Sequence, residues 1–272
     1  MANIPFDYFT PDMLEQRFSA EKPHQKIYEI CERSQTEITT MLDGYLDKYL
    51  DSFFSIPHIA PVGSIEPSLR QNFLPTLDGF ILYSLISHLQ PRLYVEIGSG
   101  FSTKVCKRAT KDSLAKTRII TIDPSPRTEI HHISNNNVPL ALQQIQNIPY
   151  ICDNLEAGDV LFFDGSHRSL MNSDVTVFFT EILPSLKKGV IVHIHDIFLP
   201  YDYPKDWASR FYNEQYLFAT YLLFANSYEI ISPNQFITQS GLFETQMQKM
   251  RNHTNYIDNI GHLSNSFWFR VV

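Results

Sequence analysis

A Rossmann-like α/β fold with a helical extension in front of it is what this sequence predicts, on three observations. From Thr76 onward, short and nearly all-apolar runs alternate with segments of helical spacing, as expected of parallel strands buried on both faces and joined by crossover helices. One of these runs, Tyr94-Val95-Glu96-Ile97, breaks into Gly98-Ser99-Gly100 and then into Phe101-Ser102-Thr103, whose hydroxyl residues open a helix. Three runs end in acids or acid–imidazole groups: Asp123, Asp164 with His167, and His195-Asp196. Those positions are the carboxyl ends of strands, where open α/β sheets bind ligands.

The elements follow in order. Gln25 to Phe54 carries Ile27, Ile30, Ile38, Met41, Leu42, Tyr45, Leu46 and Tyr49 at helical spacing and reads as one or two amphipathic helices. Pro57, Pro61 and Pro67 then interrupt any helix. Residues 1–72 are therefore a helical cap and 73–272 the main domain; the cap either covers the sheet or reaches the substrate. Phe53, Phe54 and Phe73 read as core. Thr76 to Leu89 is an apolar helix stopped by Pro91, Leu93 to Ile97 the first strand, and Ser102 to about Ala109 the helix after the glycine turn.

Arg118 to Ile122 is a β-branched strand, and a weakly patterned third strand and helix fall within Val138 to Leu155. Asp159 to Phe163 is the fourth strand, Asp174 to Leu186 a helix closed by Gly189, and Val190 to Ile194 the fifth strand. Asn213 to Phe224 is a helix with Glu214 and Tyr216 placed by default on its surface. Tyr228 to Ser232 and Ser266 to Val271 form a late strand pair without a crossover helix, so the last strand is expected to run antiparallel.

Composition narrows the class. A formal net charge of -7 argues against a general nucleic-acid binder. Cys31, Cys106 and Cys152 lack metal-site spacing and read as reduced structural thiols. The amino terminus does not read as a signal peptide, and no apolar run reaches the roughly 18 residues of a spanning helix. A cytoplasmic protein without membrane attachment, open to homo-oligomer formation, is the expectation.

The glycine turn lets the backbone approach a ligand, and the helix start offers N–H groups to it. A dinucleotide fingerprint would need a third glycine where Thr103 stands, which disfavours NAD. Asp123, about 27 residues beyond Glu96 and at the end of the second strand, either bonds a ribose diol or forms a turn before Pro124. Arg127 either meets a carboxylate or starts the next helix. Histidine as a residue type titrates near neutral pH, which makes His167 the candidate general base. His193 and His195 share one face of their strand; His193, the deeper of the two, reads as a packed imidazole.

Glu96-Ile-Gly-Ser-Gly-Phe-Ser-Thr103, Asp159 to His167, Leu183 to Gly189, His193-Ile-His-Asp-Ile-Phe-Leu-Pro200 and Asn213-Glu-Gln-Tyr216 together resemble the class I S-adenosylmethionine (SAM) methyltransferases. In particular they are similar to a bacterial group with Asp-x-Ser-His and His-x-His-Asp strand ends. The resemblance covers residues 73 to 272. It implies a seven-stranded methyltransferase sheet whose last strand is antiparallel. It also implies SAM bound by Glu96, Gly98, Ser99, Gly100, Ser102, Thr103, Asp123 and Asp164, and transfer of a methyl group to an oxygen of a small molecule, such as a sugar or secondary metabolite. Tyr212 stands where the group commonly has Trp, so a stacking contact there is expected to differ.

More distantly, the chain looks like the metal-dependent O-methyltransferases of catechols and macrolide sugars. That likeness implies a metal site at Asp164, His195 and Asp196, for Mg2+ or another divalent ion. The imidazole is a departure, because Mg2+ prefers oxygen ligands. Two competing classes remain open: a metal-dependent hydrolase or oxygenase built from Asp164, His193, His195 and Asp196, and a SAM-binding module without catalysis.

Overall fold

The computed structural model describes residues 14–128, 130, 132–257 and 264–272. Seven strands form one sheet in the order β3-β2-β1-β4-β5-β7-β6. The first five are β1 (Leu93–Ile97), β2 (Arg118–Ile122), β3 (Asn136–Val138), β4 (Val160–Phe163) and β5 (Ile191–Ile194), all parallel. β6 (Tyr228–Pro233) and β7 (Phe267–Val271) complete it, with β7 antiparallel to both β5 and β6. The sheet is therefore the Rossmann-like arrangement expected, reversed last strand included.

Burial explains why the central strands are apolar throughout. Every residue of β1, β4 and β5 is buried, because helices cover both faces. On one side α3 (Thr76–Leu89) lies against α4 (Phe101–Asp112), and α3 is buried from Thr76 to Ser87. The amphipathic stretch becomes two helices, α1 (Gln25–Glu32) and α2 (Gln35–Phe54), with Ile27, Ile38, Leu42, Leu46 and Phe53 in the core. Ahead of α1, residues 16–24 are strapped to the segment after β5. Arg17 and Phe18 donate backbone N–H groups to Asp202, and His24 N–H donates to the Pro200 carbonyl at 2.9 Å. Residues 1–13 of the expected cap lie outside the described residues.

Four expectations are corrected. The third strand starts at Asn136, just ahead of the expected window, and α5 (Ile148–Asn154) follows it. The helix opening at Asp174 is α6 (Asp174–Val177) running into a π turn at Phe178–Ile182 and a short 3-10 turn at Leu183–Ser185, where Pro184 cannot supply a helical N–H. After α7 (Glu214–Phe224), the passage between β6 and β7 holds two short helices, α8 (Asn234–Gln239) and α9 (Glu244–Arg251). Phe73 is not core: it is 47% exposed and stacks on Phe101 at 5.3 Å beside the glycine turn.

Among the described residues no helix is long and apolar enough to cross a membrane. Cys31, Cys106 and Cys152 are all buried and free.

Candidate active site

The turn after β1 is fixed by backbone geometry. Gly98 has φ +79°, and a Cβ there would lie 1.8 Å from the Asp164 carbonyl oxygen, so no other residue fits without moving β4. Gly100 is different: its φ of 173° is extended, and a Cβ would meet nothing closer than Arg127 at 3.8 Å.

Glu96 lies fully buried beneath the turn and accepts hydrogen bonds from the Ser102 hydroxyl and, at 2.6 Å, from Thr103. Burial pushes its pKa up to about 8 against the opposing effect of those bonds. Thr103 in turn accepts the Gly100 N–H at 3.0 Å. Asp123, at the end of β2, accepts both the Ser99 N–H at 2.7 Å and the Ser99 hydroxyl at 3.0 Å. Two N–H groups expected to greet a ligand are thus already bonded within the protein. A pyrophosphate would have to displace them and would face the carboxylates of Asp123 and Asp164.

These residues border a cleft of about 440 Å³ lined by Gly98, Ser99, Asp123, Gln143, Asp164 and Ser166. A smaller recess lined by Phe73, Phe101, Phe162 and His195 shares Ser99, Arg127 and Asp164 with it. Arg127 therefore borders both compartments. Its guanidinium sits 5.5 Å from the Phe73 ring centroid and 3.9 Å from Asp164. Glu96, Thr103 and His167 line neither compartment, and Ser102 lines only the recess. A larger cavity of about 710 Å³, bordered by Arg33, Tyr45, His88 and Tyr228, contains none of the candidate residues.

The ends of β4 and β5 meet in a cluster of acids and imidazoles. His167 and Asp196 both adopt left-handed backbone, with φ of 60° and 53°, a conformation costing L-residues energy and found disproportionately at functional sites. His167 Nε2 lies 3.2 Å from Asp164 Oδ1 and 3.2 Å from Asp196 Oδ2, while its Nδ1 lies 2.5 Å from Glu214 Oε1. Burial by itself would lower the imidazole pKa, but the charges of Glu214 and Asp196 and the bond to Asp164 push it well above the usual range.

His195 is similarly placed, its Nδ1 3.3 Å from Asp196 and 3.7 Å from Asp164. Against its burial, these two acids raise its pKa to about 9. Asp164 moves the other way: burial opposes ionisation, yet the charge of His195 and the bond to His167 hold its carboxyl well below the usual carboxylate range.

Glu214, expected on a helix surface, is fully buried. The whole Asn213-Glu-Gln-Tyr216 run clamps two loops together. Asn213 N–H donates to the His167 carbonyl, and its Oδ1 accepts the Ser169 N–H. Gln215 accepts the Phe198 N–H and donates to the Tyr201 carbonyl, and Tyr216 donates to Asp202. Tyr212 packs its ring 4.5 Å from that of His167.

From the far end of the chain, Asn265 donates to Asp196 Oδ1 at 2.6 Å, and Asp78 of α3 accepts from Asn265 N–H and Asn234. Sequence reasoning missed Asp78 and Asn265, and it undervalued Glu214. The signal for Glu214 was the unbroken polar run at the start of an apolar helix.

His193 stands apart, as a packed imidazole. It stacks on Phe162 at 3.6 Å and shares a 2.8 Å hydrogen bond with Ser266; burial, reinforced by His195, drives its pKa well below the usual value. The four-residue donor set of a metal hydrolase is therefore not assembled. Among the described residues no group of three or more His, Cys, Asp or Glu side chains can hold a metal ion.

Residues 95–197, from β1 to just past β5 and including all three polar strand ends, match a family model described as a methyltransferase domain. No curated protein matches the chain. Among solved structures it is similar to an S-adenosylhomocysteine-bound (SAH-bound) methyltransferase, PaMTH1, of Podospora anserina; identity is 12%, the TM-score 0.44, and the match covers 100% of this chain and 99% of that one. It is also similar to an O-methyltransferase from Bacillus cereus in complex with SAH, at 16% identity and a TM-score of 0.42, covering 86% and 90% of the two chains. The residues that match the methyltransferase domain model thus carry the glycine turn and four of the five parallel strands of the sheet.

Proposed function

We propose that the chain methylates a hydroxyl oxygen of a small molecule, such as a sugar or secondary metabolite, with His167 receiving the proton. The cofactor in this reading is SAM, which when bound would supply an electrophilic methyl group on a sulfonium, with the carbon–sulfur bonding pair returning to sulfur on transfer. In this reading residues 73–272 form the catalytic domain and 1–72 its cap. Asp123 meets the ribose, Arg127 the cofactor carboxylate, and Asp164 the amine, with the turn from Gly98 to Thr103 shaping the cleft and Glu96 bracing it from below.

The observation that carries the reading is the buried His167–Glu214 pair at 2.5 Å, at the end of β4 and three residues from an acid of the cleft. A carboxylate on Nδ1 fixes the ring and its tautomer; Nε2, which lies 3.2 Å from both Asp164 and Asp196, exchanges its proton with a hydroxyl that has to enter beside those acids. Because its neighbours hold His167 protonated, the basic form grows as pH rises, and turnover should rise with it.

The test is methyl transfer from labelled SAM to a panel of hydroxyl-bearing small molecules by the native protein and by His167→Ala. The expected result is unchanged SAH affinity with turnover lower by about 10²- to 10⁴-fold. Full activity in the variant would end the assignment of His167 as base.

A further inference from the structure

A divalent cation was implied at Asp164, His195 and Asp196, and the donor set does not fit one. The two carboxylates do converge, but three of their four oxygens already lie within 3.3 Å of a donor nitrogen, and only Asp164 Oδ2 stands further off. Asp164 Oδ1 faces His167 Nε2 at 3.2 Å and His195 Nδ1 at 3.7 Å, and its Oδ2 faces Arg127 at 3.9 Å. Asp196 Oδ1 takes the Asn265 amide at 2.6 Å and lies 3.3 Å from His195, while its Oδ2 faces His167 at 3.2 Å.

The position equidistant from the two acids, where a bridging cation would sit, is occupied by the ring nitrogen of His167. Glu214 and the left-handed backbone at residue 167 hold that ring from behind. His195 would have to present a lone pair at Nδ1 to be a ligand, yet that nitrogen points at two carboxylates. Mg2+ in addition demands about six oxygen ligands at roughly 2.0–2.1 Å and retains water reluctantly shed.

We propose that the His167 imidazole takes the place of the metal ion: it bridges Asp164 and Asp196 as the cation would, and the site works without a divalent metal. Glu214, the third acid, is what permits this, since it anchors the opposite edge of the ring. The inference concerns the same site as the proposed methyl transfer but stands on distances among protein side chains, so failure to find an acceptor would leave it untouched.

The experiment is titration of chelator-treated, full-length protein with Mn2+, followed by the Mn2+ paramagnetic resonance signal, in the native protein and in His167→Ser. The native protein is expected to leave the signal of free Mn2+ unchanged. His167→Ser, which vacates the bridging position, is expected to bind one Mn2+, and adding Asp196→Asn should abolish that gain.

Two results would overturn the proposal. One is stoichiometric binding by the native protein that Asp196→Asn removes. The other is a folded His167→Ser protein, verified by circular dichroism, that binds no metal. Should the serine variant not fold, His167→Asn takes its place, and the native titration decides the first point by itself.

Discussion

The glycine turn after β1 and the paired ends of β4 and β5 lie on the same carboxyl edge of the sheet, yet they are built by different means. In the turn, one backbone atom sets the geometry: the Asp164 carbonyl lies where a Cβ on Gly98 would be. The bonds that finish the turn, from Ser102 and Thr103 to Glu96 and from Gly100 to Thr103, come from residues within a few positions of each other. In the strand-end cluster no single contact is decisive. His167 is held by Asp164, Asp196 and Glu214, and Asp196 by Asn265, partners that arrive from four separate parts of the chain. A device fixed by one steric contact tolerates few residues; a distributed one is fixed by charge and can be tuned one partner at a time.

Substitutions should separate the two regions, the largest effect coming from the turn. Gly98→Ala forces a positive φ on an L-residue and drives a methyl group into the Asp164 carbonyl just past β4. We expect a loss of roughly 2–5 kcal/mol in chemical denaturation, together with loss of SAH binding. Native stability in this variant would show that β4 yields where the packing says it cannot. In the cluster, Glu214→Gln keeps the shape but replaces the carboxylate on Nδ1, and turnover should fall by roughly 10²-fold or more with stability little changed. Steady-state kinetics showing an unaltered kcat would mean that the ring is held by its other two acids alone.

Asp123→Ala removes a charged hydrogen-bonding partner of the cleft and should weaken SAH binding about tenfold or more by calorimetry. Equal affinity would remove Asp123 from the cofactor site. Glu96→Gln is subtler and concerns pH. Burial raises the folded-state pKa of Glu96 to about 8, so the folded protein binds more protons than the unfolded chain. That contribution favours folding at low pH and weakens as pH rises from the unfolded carboxyl pKa of about 4.5 through about 8. Thermal denaturation from pH 5 to 8.5 should show the variant with a flatter profile than the native protein, and identical slopes would contradict the burial argument. Gly100→Ala should be the mildest, within about 1 kcal/mol, because its backbone is extended and its Cβ direction is open.

The same division governs what could be read from the sequence. Strands β1, β4 and β5 were legible because burial on both faces leaves continuous apolar runs, and the turn was legible because its glycines and hydroxyl residues are neighbours in sequence. Asp123, Asp164 and His195-Asp196 were found as strand ends. How they are joined was not legible, since Glu214 lies 47 residues from His167 and Asn265 lies 69 from Asp196. Asp78 gave no signal, being a lone acid in an otherwise apolar helix whose partners, Asn234 and Asn265, belong to the end of the chain. Phe73 misled because an aromatic ring that walls a surface recess and one that fills a core look alike in one dimension. Helices α8 and α9 were missed because they are short and weakly periodic.

The most direct test of the account is a calorimetric titration of the native protein with SAH, with NAD as a parallel control. The account predicts saturable, micromolar binding of SAH alone, with one site per chain, weakened in Asp123→Ala. A folded protein that binds NAD instead, or neither compound, would contradict the assignment of the cleft beside Gly98 and Asp123 to SAM.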